Sequence, residues 1–564
     1  MLSPQPPRSF AIALFVAAFV VAAFVGTRGI TDEGAGSLQG DMPRYLMNGA
    51  LAHDFVTDGG ATSVQGVLRY AYHYYARYPA LSLGHHPPLL PMMLAPAYAV
   101  FGTSVFAARV VILLCFFVAT WLLILVTRRV YGDVTAGWAA LLFVTMPYMA
   151  EFSQSVMSEM PTVMCVLLAM HCLLDFRDTG RGRDFFLFVV ATSVSLLAKQ
   201  TAAFLIPAHL VLLLDERGRT LLRKPAILGS AIAVGVVIVL VGVATIAMSP
   251  FNVQVVMEAL TRHDLAQTWR ALDAVVRWQM GFVLAGGTGI ALVVGLLRRD
   301  KATLLLFVWT AAVVGGVISF IGPFDTERYA IVAVPAYCIL VASLVGAARS
   351  QFERTAGTVV ILLIVGWQGV AVSGKVPEGA GGYEQAAQFV LAAQPAPTVL
   401  YSGSVDTGYF VFFMRKHDAG GRMAVLRSDK LLTTSLMGAI SVRDRVQSAS
   451  EIYALLQRFG TRYVVIEDRP TGSTVLDMLR TELRGRHFTE RAVIPIATTD
   501  RRLRGISLVV FEYNDATAAA ADATIDIDVP LVGREVKVPL AELLPAGMPR
   551  TAPPAHTHSS NDVD

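Results

Sequence analysis

Charge is scarce in this sequence. Asp, Glu, Lys and Arg make up 16% of its 564 residues, against about 25% in ordinary soluble domains. That scarcity excludes a water-soluble enzyme of usual composition. The charges present nearly cancel, leaving a net +4, too small and too dispersed to serve nucleic acid. Cysteine is sparser still. Cys115, Cys165, Cys172 and Cys338 all fall inside apolar stretches, which excludes a disulfide framework and offers no metal-ligand spacing. No repeat of solenoid length recurs. What fills the chain is hydrophobic residues, 54% of the total, arranged in runs near the length needed to cross about 30 Å of hydrocarbon.

The sequence therefore predicts a polytopic α-helical membrane protein. The first span is Phe10 to Ile30, too long for the core of a signal peptide. Further apolar segments run 104–127, 134–150, 155–175, 184–198, 200–214, 225–247, 279–297, 302–322, 327–348 and 356–374, about eleven spans in all. The pair flanking Lys199 also reads as one long tilted helix. Pro87 to Phe101 is apolar but short and proline-rich, and is expected to lie at the interface. Basic clusters at Arg128–Arg129, Arg177–Arg183, Arg217–Lys224, Arg298–Lys301 and Arg349–Arg354 fall in alternate connections. The positive-inside rule places all of them in the cytoplasm. The loop 31–103, the loop 249–277, the turn 322–328 and everything after Ser373 then lie on the outer side of the cytoplasmic membrane.

Three parts follow: a membrane domain over 1–374, a soluble extracytoplasmic α/β domain over 375–543, and a polar, proline-rich tail over 544–564, expected to be disordered. Within the second, Thr398–Ser402, Tyr409–Met414, Met423–Leu426, Tyr463–Glu467, Ala492–Ile496 and Ile506–Tyr513 are β-branched or aromatic runs, read as strands. Ser450–Phe459 reads as a helix with Ser448 and Glu451 at capping-box spacing and Gly460 as its stop. Thr474–Leu483 is a second helix.

Charged groups beside membrane spans are costly and mark function by default. On this topology Asp41, His85, His86, Glu151, Glu159, Lys199, Glu327 and Arg328 all face the outer side. A carrier of a lipid-linked or small solute, the alternative reading, places such groups near the midplane on broken, internally repeated helices. A third reading is a receptor whose outer domain binds a ligand. Blander roles exist for each residue: Asp41 and Glu159 as helix caps, Lys199 as a snorkelling side chain, Arg328 as a surface anchor. Tyr70, Tyr72, Tyr74, Tyr75 and Tyr78 suit either sugar stacking or an interfacial belt. The glycine-containing loop Ser402–Gly408 reads as a turn rather than a phosphate cradle.

Four short motifs decide between these readings. Asp41-Met42-Pro43-Arg44-Tyr45 resembles the Asp-Glu-Pro-Arg-Tyr motif of the GT-C glycosyltransferases, the superfamily of protein O-mannosyltransferases and aminoarabinose transferases (glycosyltransferase family 39-like). His85-His86-Pro87-Pro88-Leu89, Leu197-Ala198-Lys199-Gln200-Thr201 and Glu327-Arg328-Tyr329 with Pro335 resemble its later motifs in the same order. The resemblance spans most of 10–350. It implies a GT-C fold and an inverting enzyme that moves a sugar from a polyprenyl phosphate to an acceptor hydroxyl on a glycolipid, polysaccharide or protein. It also implies roles: Asp41 as catalytic base; His85, His86, Lys199 and Arg328 as donor-phosphate ligands; Arg44, Tyr45, Glu159, Glu327 and Tyr329 as positioning groups. Met42 stands where the family carries a second acid. No cofactor is required by these residues; a divalent metal is the one candidate, with no ligands assigned.

Overall fold

The computed structural model describes residues 8–32, 41–82, 84–224, 250–261, 264–322, 325–375, 379–393, 396–403, 407–418, 420–436, 441–499, 503–529, 534–545 and 550–551, with isolated positions between 225 and 249. Most of the expected span 225–247, positions 404–406 of the loop 402–408, and the C-terminal tail except 544–545 and 550–551 lie outside the described residues. The chain forms two compact units, one of residues 1–37 and 84–377, the other of 38–83 and 378–564. The loop 31–103 was expected to belong with the membrane helices. Its middle, 38–83, packs with the C-terminal residues.

The first unit is helical. Seven described helices are long and apolar enough to cross a membrane: Arg8–Gly26, Val105–Tyr131, Glu159–Thr179, Leu265–Leu297, Lys301–Phe320, Thr326–Gly346 and Gln351–Gly374. The other segments of the expected eleven are the short Asp133–Thr145, the Gly182–Ala198 helix, the broken run Gln200–Leu214 and 225–247. Leu89–Phe101 has 13 residues, a rise of about 20 Å. Helical structure begins at Leu265, earlier than the expected 279, through a π-helical turn at Val275–Met280.

Outward-facing Val359, Leu362, Leu363, Trp367 and Val370 form an apolar stripe at helical spacing along the last span, a surface that suits lipid and not water. Inside, contacts are close. A methyl group on Gly137 would sit 2.5 Å from Leu14 Cβ, so the first span meets Asp133–Thr145 backbone to side chain, as small residues permit between membrane helices. The chain is a multi-pass membrane protein.

The basic connections gather at one end of this unit. Arg129 pairs with Asp175 and Arg177 with Asp215. Tyr131 donates to Asp300 at 2.6 Å, and Arg298 reaches Glu353 at 2.8 Å. Each bond ties the ends of different helices together, so the alternation in the sequence is a real grouping in space.

The second unit is built on a five-stranded sheet in the order Ala424–Arg427, Thr398–Ser402, Thr461–Glu467, Ser507–Tyr513, Phe488–Pro495. The first three strands are parallel and the last two antiparallel. Tyr409–Met414, expected as a strand, lies in the helix Thr407–His417. All six of its residues are buried, so no polar face marked a helical period. The helix Ala449–Arg458 forms where expected, and Gly460 ends it at φ 63°. Its capping box is incomplete: Glu451 accepts from the Gln447 amide at 2.9 Å, while the Ser448 hydroxyl turns to Ser450.

Candidate active site

In the membrane unit three charged side chains from three chain segments meet. Lys199 Nζ lies 2.6 Å from Glu159 Oε1, and Arg328 Nε donates to the same oxygen at 2.5 Å. Glu159 is fully buried, and Lys199 and Arg328 are each 6% exposed. The Lys199 ammonium also stands 4.4 Å from the Tyr329 ring centroid, a cation–π distance. Two cations share one carboxylate oxygen, and Arg328 Nη1 also stands 3.9 Å from Asp325 Oδ2. The second carboxylate oxygen, Glu159 Oε2, is buried with no hydrogen-bond partner among the described residues.

Local sequence explains how the three converge. Glu159 opens its helix, where the dipole favours a carboxylate. It is no cap: the N-cap is Ser158, which makes no side-chain cap bond. Lys199 is the break between two helices, in extended conformation at φ −162° and ψ 135°. A 3-10 turn, Gln200–Leu205, follows, and Pro207 sits in the first turn of the next helix, where its missing N–H costs nothing. One long helix over 184–214 is thus excluded. Nor does Lys199 snorkel outward; its stem points into the bundle. Arg328 lies in the short helix Thr326–Tyr329, and Pro335 starts the helix that follows the next turn.

These positions sit at the opposite ends of their helices from the arginine cluster. Glu159–Thr179 carries Glu159 at one end and Arg177 at the other, a rise of about 30 Å. The helix ending at Lys199 begins beside Arg181. Polar residues of the site and basic residues of the connections therefore belong to opposite faces of the unit.

His85 and His86 form a half-buried pair before the Leu89–Phe101 helix, their ring centroids 5.0 Å apart. Glu327 is half-buried, and its backbone carbonyl accepts from Gln279 at 2.6 Å. Two groups escaped the sequence reading. Tyr148 is buried, its hydroxyl lacks a hydrogen-bond partner among the described residues, and it lies in the field of Glu327, Glu159 and Arg328. Arg109 is also buried and donates to the carbonyls of Asp32 and Gln154 at 2.6 and 3.2 Å. Neither stands in a motif: Tyr148 follows Pro147 near the end of an apolar run, and Arg109 lies inside one.

Asp41, Arg44 and Tyr45 belong to the second unit. Asp41 occupies the N-cap of the helix Met42–Thr57, yet its carboxylate makes no cap bond. It accepts instead from Arg44 Nη1 at 3.2 Å. The capping role is excluded, and the side chain keeps partial exposure at 23%. Tyr45 is buried. The tyrosine run is structural: Tyr74 donates to Asp54 at 2.7 Å and Tyr70 to Asp58 at 2.7 Å, while Tyr75 and Tyr78 are buried. Among the described residues no group of three or more His, Cys, Asp or Glu is placed to hold a metal ion.

With this geometry in hand the chain can be set beside known proteins. A family model described as dolichyl-phosphate-mannose-protein mannosyltransferase matches residues 85–244, a stretch that holds His85, His86, Glu159 and Lys199 but neither Asp41 nor Arg328. No curated protein sequence matches the chain. Among solved structures, ArnT from Cupriavidus metallidurans in the apo state superposes with a TM-score of 0.53 at 14% identity, over 88% of this chain and 97% of that one. The same protein bound to undecaprenyl phosphate gives 0.54 at 15% identity, over 90% and 99%. The arabinofuranosyltransferase AftD from Mycobacteria gives 0.50 at 13% identity, over 93% of this chain and 41% of that one. At such identities the likeness is one of architecture: the chain has the GT-C fold, a helical membrane body with a C-terminal sheet-containing region.

Proposed function

We propose that this protein is an inverting glycosyltransferase that takes a sugar from a polyprenyl phosphate and gives it to an acceptor hydroxyl at the outer face of the cytoplasmic membrane. The observation that carries the reading is the buried Glu159–Lys199–Arg328 trio, with its two cations on one carboxylate oxygen. Burying charge is expensive unless each ion is compensated, and two cations gathered on one carboxylate oxygen are a fit binding set for an anionic ligand. A lipid phosphate fits that requirement, since its tail stays in the bilayer. The ArnT structure with undecaprenyl phosphate shows that a protein of this fold binds such a lipid.

In the reaction the acceptor oxygen forms a bond to the anomeric carbon while the bond from that carbon to the phosphate oxygen breaks. The electron pair leaves with the phosphate, where Lys199 and Arg328 stabilise the developing charge. Arg328 offers a planar fork to phosphate oxygens and Lys199 a point charge. Glu159 holds both cations in place. The acceptor proton goes to the Asp41 carboxylate, which Arg44 orients. A carboxylate is a weak base for an alcohol and takes that proton late, as the bond to phosphate breaks.

The test is transfer from a radiolabelled polyprenyl-phosphate sugar in membrane vesicles. Asp41→Asn is expected to lower kcat by about 10²- to 10⁴-fold while the protein still accumulates at wild-type level. Unchanged turnover would remove Asp41 as the base.

A further inference from the structure

The helix Met42–Thr57, with Asp41 at its N-cap, is gripped at both ends by one helix of the α/β unit. Near its start, Pro43 packs on Gly408: a methyl group at 408 would stand 2.7 Å from Pro43 Cβ, inside any real carbon contact. Near its end, Arg415 meets Asp54 with two nitrogens, Nη2 to Oδ1 at 2.5 Å and Nε to Oδ2 at 2.7 Å. Tyr74 donates to Asp54 Oδ2 at 2.7 Å, and His53 Nδ1 stands 3.0 Å from Asp54 Oδ1. Asp54 is 4% exposed, so this is a buried, bidentate and fully engaged pair. Burial works against the Arg415 charge, but Tyr74 and Asp54 outweigh it and raise its pKa.

Gly408 and Arg415 both belong to Thr407–His417, the helix that follows the Thr398–Ser402 strand. Two contacts separated along the same helix pair fix rotation as well as translation. A single contact would leave the partner free to pivot.

We propose that the helix Thr407–His417 is a positioning clamp for Asp41, with Arg415, Asp54 and Gly408 setting where the carboxylate points. The proposal rests on the reading of Asp41 as the base. It gives the C-terminal α/β unit a task in catalysis: the sheet holds Thr407–His417, that helix holds Met42–Thr57, and Met42–Thr57 carries the carboxylate. Gly408 has a definite reason to be glycine, because any side chain there drives Pro43, two residues from Asp41, off its seat.

The experiment uses the full chain in membrane vesicles with a polyprenyl-phosphate sugar donor. Gly408→Ala and Arg415→Gln are each expected to lower kcat by about 10²-fold, the cost of misplacing a reacting group by roughly 1 Å, with KM for the donor unchanged. Arg415→Lys, which keeps the charge and loses the fork, is expected to fall between. In the Asp41→Asn background neither substitution is expected to cost more, because the group they position is already gone. Equal further losses in that background would overturn the clamp in favour of a merely structural role. Hydrogen exchange separates the two ideas. If Asp41→Asn is silent but Arg415→Gln speeds exchange of the Met42–Thr57 amides, the base assignment fails and the anchor stands. Wild-type exchange in Arg415→Gln would overturn the anchor itself.

Discussion

At the residue scale the trio obeys charge arithmetic that mutation can read. Removing Lys199 leaves Arg328 paired with Glu159. Removing the carboxylate leaves two buried like charges without the oxygen they share. Breaking a buried ion pair by deleting one partner costs about 3–5 kcal/mol. Glu159→Gln is therefore expected to destabilise the detergent-solubilised protein by that order, and Lys199→Met by clearly less. The double variant Glu159→Gln with Lys199→Met should recover part of the loss, since one cation then loses its Glu159 partner in place of two. Thermal unfolding of the three variants checks the order. Equal destabilisation by both single changes would show that the trio is not balanced as a unit. Addition of undecaprenyl phosphate should raise the melting temperature of wild type, because a ligand that binds only the folded state stabilises it.

At the element scale, a helix was legible where it had a polar side and a strand where its run was short and bounded by turn residues. The Ala449–Arg458 helix was readable because polar residues interrupt it at a helical period and Gly460 ends it, and the strands around Thr398, Tyr463 and Ser507 because they are short buried runs of β-branched and aromatic residues. Tyr409–Met414 was not: a fully buried run has no period, and aromatic content then mimics a strand. The break at Lys199 stood in plain view as a charge inside an apolar stretch with Pro207 beyond it, yet only packing against Glu159 gives the break a purpose. Pairing of Asp54 with Arg415 was beyond any local reading, since 361 residues separate them. Within the sheet, Glu512 accepts from Arg462 Nε at 2.7 Å and from Arg491 Nε at 2.6 Å, so it ties its strand to both neighbours. Burial works to raise the Glu512 carboxyl, but the two arginines outweigh it and hold its pKa below the ordinary value. A depressed carboxyl adds stability that is fully present above its unfolded-state pKa of about 4.3 and is lost as pH falls through the lower folded value. Exchange of the Ser507–Tyr513 amides, corrected for intrinsic rate, should accelerate between about pH 5 and pH 3. Glu512→Gln should exchange faster at neutral pH and lose that dependence. A variant with the wild-type pH profile would assign the effect elsewhere.

At the scale of the whole molecule the proposed function depends on which side of the membrane each unit faces. The arginine-rich ends of the membrane unit and the ends bearing Glu159, Lys199 and Arg328 are opposite, and the positive-inside rule assigns the arginine end to the cytoplasm. The four native cysteines are all buried, so the wild-type chain is a quiet background for thiol labelling. Thr62 and Arg183 are both exposed, the first in the second unit and the second in a basic connection of the membrane unit. In intact cells a membrane-impermeant maleimide is expected to modify Thr62→Cys and to spare Arg183→Cys; in inside-out vesicles the two should exchange behaviour. Transfer at the outer face requires this result, because a polyprenyl-phosphate sugar presented outside can be used only by a carboxylate that is also outside. Labelling of Thr62→Cys from the cytoplasm alone would place the helix carrying Asp41 on the wrong side of the bilayer, and the outer-face reaction would fall even if every contact in the Glu159 trio proved correct.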